Sequence, residues 1–168
     1  MAISARLKAF LTAHKIKYKS QKHPLAYTAQ EIAAEEHVPG RQLAKCVLVK
    51  SEKGVALAVL PAVHLVNLAK LKTVLKAKTL RIATESEIKQ TFPDIEVGAM
   101  SVFGGLYGVP VLVDKALTES EDIVSNAGTH TETIRFRYRD FEKVAKPKVG
   151  SFGLHVAEAR KGKKRAAA

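Results

Sequence analysis

"AKCVLVKSEKGVALAVLP", residues 44–61, decides the fold. Two apolar, β-branched runs flank Ser51-Glu52-Lys53-Gly54, and this pattern predicts a β-hairpin. A hairpin makes neighbouring strands antiparallel, which excludes a regular βαβα alternation. The segments on either side add further strands and helices, so the chain reads as one α+β domain built on a mixed sheet.

On the N-terminal side, residues 3–14 put Ile3, Leu7, Phe10 and Leu11 on one face of an amphipathic helix. "IKYKSQKHP" (16–24) alternates apolar and polar residues and stops at Pro24, as a short strand does. Thr28 and Glu31 form a capping-box pattern, which predicts a helix over 28–37 ending before Pro39-Gly40. On the C-terminal side, "HLVNLAKLKTVLKA" (64–77) reads as a helix and "LRIAT" (80–84) as a strand. A second capping box, Thr84 with Glu87, opens a helix that stops near Pro93. "GVPVLVD" (108–114), a strand near "DIVSNAG" (122–128) and "ETIRFRYRD" (132–140) follow, and "RDFEKVAK" (139–146) is a last helix before Pro147.

The chain has 168 residues, 46% of them hydrophobic, which suits a single domain with a real core. The domain is expected over 1–150 and a basic, flexible tail over 151–168. No apolar run is long enough to cross a bilayer, and the N-terminus carries no secretory pattern. The lone cysteine, Cys46, forbids an internal disulfide, and the expected location is the cytoplasm. The formal net charge of +12 favours a polyanionic partner through counterion release. Five of the basic groups (Arg160, Lys161, Lys163, Lys164 and Arg165) lie in the tail, and without them the balance is still clearly positive.

Several chemistries lack their motifs. The histidines are scattered, with no HExxH and no CxxC, so no metal site is expected. No GxSxG elbow, Walker loop or GxGxxG is present, and no cofactor is expected. Cys46 reads as a small buried thiol rather than a nucleophile activated by Lys45, because adjacent strand residues point to opposite faces. The unusual local feature is "GAMSVFGGLYG" (98–108), which holds four of the ten glycines. It is either a turn or a loop that brings backbone amides to a ligand.

"VPGRQLAKCVLVK" (38–50), "ALAVLPA" (56–62), "GAMSVFGGLYGVPVLVD" (98–114) and "NAGTHTETIRFRYRDFEKV" (126–144) together resemble the YbaK/prolyl-tRNA-editing family of aminoacyl-tRNA deacylases. The resemblance spans about residues 20–148. It implies a single compact domain with a mixed, partly barrel-like sheet flanked by helices. It also implies hydrolysis of the ester on a mischarged tRNA, a small amino acid on proline tRNA being the expected substrate. The implied partners are tRNA and prolyl-tRNA synthetase, and a monomer or weak dimer is expected. Lys45 matches the family's lysine at the substrate site, and Gly98 matches the first glycine of its GxxxP loop. Val102 stands where that loop has proline, which puts the loop's rigidity in question. The resemblance thus sets Gly98, Ala99, Met100, Ser101, Val102, Phe103 and Gly104 around the substrate, with Met100 and Phe103 sizing the aminoacyl pocket. Asp114 either reads the substrate ammonium or caps the turn after it. Gly128 matches a turn glycine, and His130 either lines the pocket or fastens that turn. A tRNA- or protein-binding module that lost the chemistry, and a hydrolase of another small ester, are the rival readings.

Overall fold

The computed structural model describes residues 4–26, 28–35 and 38–155. The hairpin forms as expected: β2 (Leu43–Ser51) and β3 (Gly54–Pro61) pair antiparallel from Ala44↔Pro61 to Ser51↔Gly54. The remaining strands of the large sheet are β1 (Tyr18–Lys22), β5 (Leu80–Ile82), β6 (Val111–Asp114), β7 (Asp122–Asn126), β8 (Glu132–Arg137) and β9 (Lys148–Gly150). Their order is β1-β8-β7-β2-β3-β6-β9, with β5 also on β2. Parallel pairs (β2–β7, β3–β6, β6–β9) and antiparallel pairs (β1–β8, β7–β8, β2–β3, β2–β5) coexist, so the sheet is mixed. A two-stranded sheet joins β4 (His64–Val66) to β10 (Gly153–His155).

The helices are α1 (Ala5–Ala13), α2 (Ala29–Glu35), α3 (Leu68–Leu75), α4 (Glu85–Thr91) and α5 (Tyr138–Ala145). Both capping boxes form: Thr28 with Glu31, and Thr84 with Glu87, exchange backbone and side-chain hydrogen bonds. The expected 64–77 helix begins later, because Asn67 caps α3 and His64–Val66 is drawn into β4 by its partner β10. That partner lies in the stretch assigned to the tail. Phe152 is fully buried and Gly153–His155 is paired, so the folded chain reaches at least His155. The rest of the expected tail, residues 156–168, lies outside the described residues, as do Ile3 and His37.

The sheet has two unlike faces. On one, Leu7 and Leu11 of α1, Phe141 of α5, and Phe92, Phe103 and Phe136 build the large core. On the other, two smaller clusters form. Ile32 and Ala33 of α2 pack with Leu43 and Val124, and Leu71 of α3 packs with Leu60, Leu112 and Phe152. Strand alternation assigns each side chain: Ala44, Cys46 and Leu48 turn to the large core, and Leu43, Lys45, Val47 and Val49 to the divided face.

Candidate functional site

Lys45 stands on the divided face, between Leu43 of one small cluster and Val47, which packs on the other. It is half-buried, and burial lowers its ammonium pKa from the usual lysine value. The sheet has a break beside it. One edge of β2 pairs with β7 only at Leu43↔Val124 and Ala44↔Ser125, and with β5 only from Val49. Between those contacts, β2 and β7 part at the level of Lys45.

The 98–103 loop is fastened at this parting. Val102 donates its N–H to Ser125 Oγ (3.2 Å), and Gly128 donates to the Ala99 carbonyl (3.0 Å). His130 binds the stretch just before the loop: its ring Nε2 lies 2.8 Å from the Val97 carbonyl, and its N–H donates to Glu96 Oε2. His130 therefore holds the loop in place, and its Cε1 would lie 3.5 Å from a Cβ on Gly98. Among the described residues, the N–H groups of Gly98, Met100 and Ser101 have no hydrogen-bond acceptor.

The loop's side chains go the other way. Met100, Val102 and Phe103 are buried in the large core. Phe103 packs on the rings of Phe10 (5.6 Å), Phe136 (5.2 Å) and Phe141 (5.9 Å). Met100 and Phe103, expected to size the aminoacyl pocket, thus pack in the large core, Phe103 through these ring contacts. Ser101 Oγ accepts from the Phe103 N–H and so braces the loop internally. Ala99 is fully buried.

The glycines divide in the same way. Gly98 and Gly128 have φ values of +88° and +101°, which side chains rarely adopt. Gly104 serves close packing, since a Cβ there would meet Val111 and the Val109 carbonyl at 3.0 and 3.1 Å.

Asp114 shares the divided face, but its carboxylate is already engaged. Oδ1 accepts from Phe152 N (2.9 Å) and Gly153 N (2.8 Å), and Oδ2 accepts from Ala116 N (3.1 Å). His64 Nδ1 lies 3.6 Å from Oδ2. Of the two readings of Asp114, the geometry is that of the cap: it ties β9 and β10 to the sheet. Cys46 packs against the large core, where burial pushes its thiol pKa up to about 12.

Two residues escaped the sequence reading. Ser125 anchors the loop, and Asn126 follows it at the level of Lys45 with Oδ1 buried and without a hydrogen-bond partner. Asn126 alternates with Ser125, so it shares the divided face with Lys45. The only signal was a pair of polar residues ending an apolar strand before Gly128. Among the described residues no cluster of three His, Cys, Asp or Glu side chains could hold a metal ion, and no helix is long and apolar enough to cross a membrane.

The sequence profile of the aminoacyl-tRNA editing domain matches residues 23–144. No curated protein matches. Among solved structures, a proposed trans-editing enzyme for prolyl-tRNA synthetase superposes with a TM-score of 0.81 at 20% identity, over 90% of this chain and 96% of that one. A hypothetical protein gives 0.81 at 17% identity, over 89% and 99%. A protein from Marinobacter aquaeolei VT8, described as acting in signal transduction, gives 0.72 at 17% identity, over 93% of this chain and 32% of that one. At these identities the structural likenesses establish the fold.

Proposed function

The chain belongs to the aminoacyl-tRNA editing domain family, and from that premise we propose that it is a trans-acting deacylase of mischarged tRNA, serving translation fidelity. The observation that carries this reading is Lys45, an ammonium partly withdrawn from water where β2 and β7 part and the 98–103 loop is fastened. Partial burial strengthens its attraction for a phosphate or ribose oxygen at the tRNA 3′ end, which it meets as a compact point charge.

The reaction adds water across an ester. The water oxygen attacks the carbonyl carbon, and the carbonyl electrons collect on oxygen. The free N–H groups of Gly98, Met100 and Ser101 are the donors for that oxyanion. Collapse breaks the acyl–oxygen bond, and the ribose oxygen leaves with a proton from the water. An aminoacyl ester is already activated, so positioning supplies most of the catalysis and no nucleophilic side chain or metal is invoked.

The loop compensates for its missing proline in two ways that support activity over the binding-module reading. Val102 is buried in the core, and its N–H, which proline lacks, is the group bound by Ser125. The substrate is proposed to be a small amino acid on proline tRNA, selected by size. Prolyl-tRNA synthetase as a partner, a monomeric or weakly dimeric state and a cytoplasmic location complete the proposal.

The test is a deacylation assay over a panel of matched and mischarged aminoacyl-tRNAs, with wild type and Lys45→Ala. Rapid release from one mischarged species, lost in the variant, supports the reading. Equal turnover of small esters without tRNA would favour the general hydrolase.

A further inference from the structure

We infer that the end of the sheet along β1 and β8, where the divided face opens, is part of a groove that seats the phosphate backbone of the RNA strand leading to Lys45. This rests on the function proposed above and deepens it. A groove of about 480 Å³ is lined by Lys15, Lys17, Lys19, Arg135, Arg137 and Arg139, with Asp122 and Asp140 as its carboxylates. A second hollow of about 200 Å³ shares Lys19 and Arg135 with it and adds Gln21, Thr133 and Val124. Among the described residues, none of the six basic groups lies within 4.0 Å of a carboxylate. Their charge is therefore available to a partner.

Register links the groove to the site. Lys19 pairs with Arg135, and Arg135 with Val124. One pleat further, Gln21 pairs with Thr133, and Thr133 with Asn126. Paired residues share a face, so Lys19, Arg135, Gln21, Thr133, Asn126 and Lys45 all lie on one side of the sheet. At about 4.8 Å between strands and about 3.4 Å per residue, Arg135 stands roughly 12 Å from Lys45 along the sheet. The path thus runs from paired basic residues, past exposed Gln21 and half-buried Asn126, to the half-buried ammonium. The occupant is a polyanionic strand: basic groups spaced along a channel suit successive phosphates.

The experiment measures binding of an uncharged proline-tRNA transcript by fluorescence anisotropy between 50 and 300 mM KCl, as ranges chosen to expose the salt slope. Three proteins are compared: wild type, the triple variant Lys19→Ala/Arg135→Ala/Arg137→Ala, and a charge-matched control, Lys8→Ala/Lys89→Ala/Lys143→Ala. The control residues are exposed and line neither hollow. Thermal melts verify that both variants fold. The groove variant is expected to bind about tenfold or more weakly, with a salt slope smaller by about 2, and the control to stay within about twofold of wild type. Equal losses in both variants, no loss in the groove variant, or equal competition by polyglutamate would each overturn the groove. The deacylation assay reads the other proposal separately. A groove variant that loses tRNA binding, in a protein that deacylates nothing, keeps the groove and removes the enzyme. A deacylating wild type whose groove variant binds normally does the reverse.

Discussion

The two faces of the sheet are built to opposite ends. One carries a continuous core with Phe103 at the centre of three rings, and the other carries two small apolar clusters with a half-buried lysine between them. The 98–103 loop meets the sheet where β2 and β7 part. Its Met100, Val102 and Phe103 side chains enter the large core, while the Val102 N–H ties it to Ser125 of β7. The difference shows what holds a loop that has no proline: core packing of its side chains and the hydrogen bond from Val102 to Ser125.

The comparison breaks most sharply at Phe103. Phe103→Ala removes the shared ring and should cost about 3–5 kcal/mol, read as a lowered urea midpoint, a loss that approaches the whole stability of a small domain. Asp114→Ala leaves the N–H groups of Ala116, Phe152 and Gly153 without their acceptor and should cost about 2–3 kcal/mol. In the same preparation, activity per folded molecule should hold, because Asp114 ties strands together. A specific loss of kcat/KM with stability intact would restore it as a substrate residue.

Val102→Pro sharpens the comparison at the loop. Restoring the family's proline deletes the N–H bound by Ser125 Oγ and should destabilise by about 1–2 kcal/mol rather than rigidify, measured by thermal melts. The smallest effect is expected at an exposed clasp away from both faces. Glu52 accepts from Lys78 N, Thr79 N and Thr79 Oγ1, and the two backbone donors hold its carboxyl down at about 2. Its folded pKa lies below the unfolded value, so its contribution is present above about pH 4 and fades as pH falls toward 2. The difference in urea midpoint between wild type and Glu52→Gln should therefore shrink from pH 7 to pH 3.

Much of this frame was legible in the residues. The 44–61 hairpin shows in its alternating runs and turn quartet, and both capping boxes show in their Thr-x-x-Glu spacing, because these are local patterns. Strands β4, β9 and β10 were not legible. Each has three residues and exists only because a distant segment pairs with it. Lys45 and Cys46 could be set on opposite faces from strand alternation alone. The loop could not be divided in this way, since a loop has no period, and only the packing of Phe103 shows which way its side chains turn. Asn126 was missed for a related reason: its place beside Lys45 depends on a parallel pairing of segments about 80 residues apart in the chain.

The measurement closest to the central claim is deacylation of mischarged proline tRNA by wild type and Lys45→Met, with melting temperatures taken on the same samples. Burial lowers the pKa of Lys45, so its charge costs stability at neutral pH, and the cost disappears as pH rises past the unfolded value. The account predicts that Lys45→Met melts at or above the wild-type temperature while deacylation falls on the order of 100-fold or more. A variant that deacylates like wild type, or one that loses activity only in step with a falling melting temperature, would contradict it.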